Sequence, residues 1–137
     1  MKNIVMAYDT SEQAKKAFDF AVEMAQKYGA RLTVLSVVRP PEPAESVETG
    51  AMLEEASHIY SADFAKLKKK TEKFKDKVKF EVAVGHPAEK IIQRANALQA
   101  DVIVMGHRGK SLMERWLLGS VSKRVLSYAH CTVVVVR

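Results

Sequence analysis

Short, nearly continuous apolar runs alternate with longer stretches of helical period from one end of the chain to the other, and few folds accept that pattern. Residues 3–8, 32–38, Val78–Val84, 102–105 and Thr132–Val136 have strand length and apolar character. Between them, apolar residues recur every three or four positions, as in Ala14, Ala17, Phe18, Ala21, Val22, Met24 and Ala25. A strand that is apolar on both sides must be covered on both sides, which is the condition of a parallel sheet. Parallel neighbours in turn need a long crossover, usually a helix. The order βαβαβαβαβ therefore predicts an α/β fold: an open, doubly wound, parallel five-stranded sheet with helices on both faces. Placing the first strand at the centre, between the second and the fourth, gives the order 3-2-1-4-5.

Local signals mark the joints. Thr10-Ser11-Glu12-Gln13 fits a capping box with Thr10 as N-cap, and Gly29 stops the first helix as a C′ residue. Pro40, Pro41 and Pro43 keep the next stretch extended, since proline fixes φ and restricts its predecessor. The polar loop over residues 39–50 is long for a compact domain, and such loops are usually functional or mobile. A lysine-rich helix follows over about residues 51–77. Gly85-His86-Pro87 turns into a helix over residues 88–98, with Pro87 at its first position. A last helix, Ser120–Tyr128, places Val121, Val125, Leu126 and Ala129 on one side.

Size and composition narrow the function. A chain of 137 residues forms one domain, residues 1–137, with room for a normal core. No run approaches the roughly 20 apolar residues that span a bilayer. Met1-Lys2-Asn3-Ile4-Val5 enters strand-like sequence at once and leaves no room for a signal peptide, which points to the cytoplasm. The lone cysteine, Cys131, excludes an intramolecular disulfide or a cysteine-built zinc site and reads as a buried structural thiol. The formal charge of +6 raises the question of an anionic partner. Lys66, Lys68, Lys69, Lys70, Lys73, Lys75, Lys77 and Lys79 hold much of it. Apolar residues at Ile59 or Tyr60, Phe64, Leu67, Phe74 and Val78 make this the wet face of an amphipathic helix. Nucleic acid is not the expected partner, because no aromatic platforms stand among the charges.

Ligands of open α/β sheets bind beyond the carboxyl ends of the strands, where strand order reverses. In the order 3-2-1-4-5 that point lies between strands one and four, which end at Asp9 and Gly106. Gly106, Gly109 and Gly119-Ser120 form a spaced set after the fourth strand. Glycines let backbone approach a ligand closely, and a helix starting at Ser120 offers unpaired N–H groups to an anion. The Gly109-Lys110-Ser111 sequence is not a P-loop, because the glycine required five residues earlier is Val104. Asp9 suits ribose hydroxyls or an adenine amino group, although it also suits a local role beside the first helix. Val37 and Val38 supply an apolar wall for a base. Together these features suggest a phosphate cradle for a nucleotide.

Over essentially its full length the chain resembles the universal stress protein family. The resemblance rests on Val5-Met6-Ala7-Tyr8-Asp9-Thr10-Ser11, Gly85-His86-Pro87 and Val102-Ile103-Val104-Met105-Gly106. It continues through Gly109, Gly119-Ser120-Val121 and the terminal Cys131-Thr132-Val133-Val134-Val135-Val136. The Gly-x2-Gly-x9-Gly-Ser spacing marks the ATP-binding branch of that family. The resemblance implies ATP, or ADP or AMP, with or without Mg2+, held without a P-loop. Asp9 and Val37 would contact adenosine, and Met105, Gly106 and Gly109 would line the ribose and first phosphate. Gly119, Ser120 and Val121 would receive the remaining phosphates. Ala7 stands where the family can carry an apolar residue or proline. Arg108 and Lys110 are candidates for neutralising phosphate charge.

Efficient hydrolysis needs metal ions and a group that positions water. Only Asp9 and Glu114 are acidic candidates near the glycines, so no catalytic residue is assigned and turnover is expected to be slow or absent. His58, His86, His107 and His130 lack metal-ligand spacing, and His107 reads as an exposed loop residue. The expected product is a regulatory or signalling module in stress response, at most a weak ATPase. Strand Thr132–Val136 would be an uncovered edge, whose pairing with a second copy gives a homodimer; the family resemblance implies the same. The alternative is an interaction or nucleic-acid-binding domain that uses the lysine face over residues 66–79 and no nucleotide. An ATP-pyrophosphatase-type enzyme would need a Ser-Gly-Gly loop where Tyr8-Asp9-Thr10-Ser11 stands.

Overall fold

The computed structural model describes residues 1–40, 49–107 and 119–137. Its elements are β1 (Asn3–Ala7), α1 (Glu12–Tyr28), β2 (Arg31–Val38), α2 (Thr49–Lys70), β3 (Val78–Val84), α3 (Pro87–Ala97), β4 (Val102–Gly106), α4 (Ser120–Tyr128) and β5 (Thr132–Val136). The sheet runs β3-β2-β1-β4-β5, and every pair is parallel. Met6 of β1 is opposite Val34 of β2 on one side and Val104 of β4 on the other.

Because β1 is central, both phases of its pleat are buried. Ile4 and Met6 join Phe18, Val34, Phe64 and Val104 in a core under α1 and α2. Val5 faces the other way, into a core with Leu35, Ile91, Ile103, Met105 and Val125 under α3 and α4. This two-sided demand is why the strand sequences read as unbroken apolar runs. Helix α1 lies close to the sheet because four of its buried positions are alanine, at 14, 17, 21 and 25. Phe18 fills the space between them and is fully buried; truncating such a side chain typically costs about 3–5 kcal/mol.

Several joints differ from the sequence expectation. The N-cap of α1 is Ser11, whose Oγ accepts from the Ala14 N–H at 3.1 Å, so Thr10 is not the cap. Thr10 instead has φ of 70°, a conformation uncommon for a β-branched residue. The lysine-rich helix ends at Lys70 and not near residue 77. Thr71 is buried there and its hydroxyl donates to the Leu67 and Lys68 carbonyls, at 3.3 and 3.2 Å. A 3-10 segment, Glu72–Lys77, carries the chain on to β3. At the far end of α1, Gly29 adopts the left-handed φ of 63° that closes a helix. Most of the loop over residues 39–50, its prolines at 41 and 43 included, lies outside the described residues.

Candidate functional site

A cavity of about 460 Å3 opens beyond the carboxyl ends of β1, β2 and β4. Its floor is apolar: Ala7 of β1, Leu35 and Val37 of β2, Met105 of β4 and Ile91 of α3. Asp9 borders it, as do Gly106 and the start of α4, with Gly119, Ser120 and Val121. Eight of the ten residues expected from sequence therefore border one space, contributed by four elements. Arg108 and Gly109, with Lys110 and Glu114, lie outside the described residues.

The Asp9 side is held by hydrogen bonds that run beyond the ladder. The Tyr8 N–H donates to the Leu35 carbonyl at 2.9 Å, and the Ser36 hydroxyl donates to the Tyr8 carbonyl at 2.7 Å. Asp9 Oδ1 then accepts from the Ser11 N–H at 3.0 Å and from the Ser11 hydroxyl at 2.5 Å. The local role foreseen for Asp9 is thus real. It occupies one carboxylate oxygen in these contacts and leaves Oδ2 outside them.

The α4 side of the cavity is built around backbone. Helix α4 starts at Gly119 with no side-chain cap, so its first N–H groups lack intrahelical partners. The Gly119 N–H donates to the His107 carbonyl at 3.1 Å, and the His107 N–H donates to the Val136 carbonyl at 2.7 Å. Ser122 Oγ donates to the Gly106 carbonyl at 3.1 Å. These bonds fix the uncapped helix end against the end of β4. His107 is buried, at 6% exposure, which corrects its reading as an exposed loop residue. It joins β4, β5 and α4, and that bridging role excludes it from the surface.

Gly106 has a reason to lack a Cβ besides the ligand approach expected from sequence. A Cβ there would lie 2.9 Å from both the backbone carbon and the Cβ of Gln13, and 3.1 Å from the Ala14 nitrogen. Glycine at this position lets the first turn of α1 sit against β4.

Tyr8 and Tyr60 close the cavity on the α2 side. Tyr60 stacks on Phe64 at a centroid distance of 5.7 Å, and Phe64 contacts Phe80 at 5.2 Å. Burial, then the nearby charges of Asp63 and Asp9, pushes the Tyr8 phenol up to about 12. Burial and then Asp9 and Asp63 shift Tyr60 in the same direction. Both phenols therefore hold their protons to higher pH than an ordinary tyrosine. Cys131 is half-buried and not fully buried, and burial raises its thiol.

Sequence reasoning missed Arg39, Ile59, Pro87 and Ile91 as cavity residues. Pro87 and Ile91 were accessible to it: α3 starts where β3 ends, at the level of the crevice. Nothing local distinguishes Ile59 and Tyr60 from an ordinary helix stripe, because their position depends on how α2 crosses the sheet. Among the described residues no cluster of three or more His, Cys, Asp or Glu is placed to hold a metal, and no helix is long and apolar enough to cross a membrane.

Comparison with known proteins gives a consistent result. The family model described as "Universal stress protein family" matches residues 1–137. A universal stress protein of Thermus aquaticus is 36% identical over 99% of this chain and 98% of its own length. One from Methanocaldococcus jannaschii is 34% identical over 99% of this chain and 82% of its own. Among solved structures, a universal stress protein in complex with cAMP has a TM-score of 0.76 at 22% identity, covering 99% of this chain and 97% of that one. Another, from Archaeoglobus fulgidus in complex with dAMP, has a TM-score of 0.66 at 23% identity, covering 100% and 98%. At those identities the two structures speak for the fold.

Proposed function

Since the chain belongs to the universal stress protein family, we propose that it binds an adenine nucleotide (ATP, ADP or AMP) in the crevice between Asp9 and the start of α4. The observation that carries this reading is one cavity with an apolar floor that is bordered by both a carboxylate, Asp9, and an uncapped helix N-terminus. That arrangement matches a molecule with a flat base, a ribose and phosphates. Proteins of the same fold hold cAMP and dAMP, which agrees with an adenine ligand.

In this reading Ala7, Val37 and Met105 pack against the base and sugar, and Asp9 Oδ2 accepts from ribose or adenine. The N–H groups at the start of α4, with the Ser120 hydroxyl, receive phosphate oxygens, favoured by the positive end of the helix dipole. Arg108 and Gly109 complete the phosphate end. Mg2+ would arrive on the nucleotide's own phosphates, since Asp9 is the one carboxylate bordering the cavity among the described residues. The protein then acts as a cytoplasmic regulatory or signalling module in stress response, with little or slow hydrolysis.

A homodimer through β5 accompanies this function. Among the described residues β5 pairs on one side only, and its Thr132–Val136 sequence carries no charge. The helices on its two faces, α1 and α4, each carry an exposed apolar side chain. Phe20 lies two turns along α1 from Gln13, which abuts Gly106 of β4. Leu126 is on α4, which packs on β5.

Calorimetry with ATP-Mg, ADP and AMP tests the proposal, alongside mass spectrometry of small molecules released from freshly purified protein. Binding by wild type, weakened roughly 10- to 100-fold in Asp9→Ala through loss of one charge-assisted bond, is the expected result. Wild type that carries no nucleotide and gives no heat with any of the three would overturn it.

A further inference from the structure

The chain's net charge is concentrated in one short segment. Of 22 basic and 16 acidic residues, the segment 66–79 holds eight lysines and two acids, Glu72 and Asp76. Fourteen of each sign remain elsewhere, so these residues hold the whole formal charge of +6. All eight lysines are exposed. Lys70 reaches Asp19 at 3.5 Å and Lys75 reaches Glu72 at 3.7 Å, both on the open surface, where such pairs neutralise little. Lys77 donates to the Gly29 carbonyl at 3.1 Å. Lys66, Lys69, Lys73 and Lys79 have no ion pair with any described residue.

Local needs explain part of this. Lys68, Lys69 and Lys70 suit the negative end of α2, and Lys79 guards the β3 edge against pairing. They do not require a further four cations on the adjoining surface. The segment leads into the amino end of β3, and all strands are parallel. It therefore occupies the end of the molecule away from the crevice, beside exposed Arg31 at the start of β2.

We propose that this lysine face binds the phosphate backbone of double-stranded nucleic acid without reading its sequence. Its chemistry selects that partner. Protein-binding hot spots favour Trp, Tyr and Arg, and here the cations are all lysine. Membrane binding by a surface helix needs an apolar face to insert, whereas Leu67 and Val78 are buried, and Phe74 and Phe80 are packed in the core beneath. Within residues 66–79 the one aromatic ring, Phe74, is packed against the core and not set out among the lysines as a platform for single-stranded bases. A row of point charges complements a backbone of high charge density.

The test measures binding of the full chain to a fluorescent 30-base-pair duplex of arbitrary sequence across a salt series. About five phosphate contacts would give a slope of log K against log salt of about −4.5, a roughly 500-fold loss between 50 and 200 mM. K66Q/K69Q/K73Q/K79Q replaces exposed side chains and should flatten that slope by about 3 to 4, with ATP affinity unchanged and a thermal midpoint lowered only by the helix-end share of Lys69. Asp9→Ala should bind duplex like wild type, which separates this surface from the nucleotide site. Absence of duplex binding at 50 mM salt would overturn the proposal. So would an unchanged slope in the quadruple variant, or equal or tighter binding to phosphatidylserine vesicles at matched phosphate.

Discussion

In the proposed site Asp9 has two duties on one carboxylate, and its variants separate them. Oδ1 accepts from Ser11, and Oδ2 is the oxygen assigned to the ligand. Asp9→Ala should lose about 1 kcal/mol of folding stability as well as nucleotide affinity. Asp9→Asn should recover most of the stability in urea denaturation but little of the affinity, because an amide accepts a bond without charge. Gly106→Ala is limited by space: its methyl would meet Gln13 at 2.9 Å. Overpacking of this kind costs about 1–3 kcal/mol, so a lowered urea midpoint with an unchanged m-value is expected. Tyr8 sets a pH dependence at the alkaline end. With its folded value raised to about 12 from 10.0, the native state holds the proton that the unfolded chain gives up. Stability from this group is complete below pH 10 and declines as pH rises from 10 to 12. Denaturation at stepped pH should show that decline, and Tyr8→Phe should remove the part due to this phenol.

At the scale of elements, Ser11 ties the first helix to the site. Its hydroxyl caps α1 and also donates to Asp9, so Ser11→Ala should cost about 1–2 kcal/mol and weaken nucleotide binding in calorimetry. Strand positions were legible because each apolar run serves two cores at once, as Val5 and Met6 show. The exact cap was not legible, since Thr10 and Ser11 are both good N-caps. Only Asp9's grip on Ser11 and the resulting φ of 70° at Thr10 decide between them. The end of α2 was hidden for a similar reason. Lysine favours helix on either side of Thr71, and what stops the helix is the burial of that hydroxyl over the last carbonyls. The eight foreseen site residues that are described border one cavity because the strand-end rule is topological. Arg39 and Ile59 depend on tertiary placement and left no local trace.

For the molecule as a whole, the two sheet edges are treated differently. Lys79 and Glu81 put charge on β3, whereas β5 is Thr-Val-Val-Val-Val. A pair of copies should therefore join at β5 and leave β3 free. Light scattering on wild type should report a dimer, and Phe20→Glu/Leu126→Glu should shift it to monomer, since both side chains are exposed in one copy. The placement of β1 between β2 and β4 also has a consequence in time. Asp101, at the start of β4, accepts from the Lys2 and Asn3 N–H groups, across a separation of 99 and 98 residues. A chain emerging from the ribosome can pair β1 with β2 early, but it must wait for β4 and α4 before the crevice has its second wall. Contacts so distant in sequence form late. Helix content should return before nucleotide binding during refolding, and a nascent chain that stops short of α4 should have most of the sheet and no receptor.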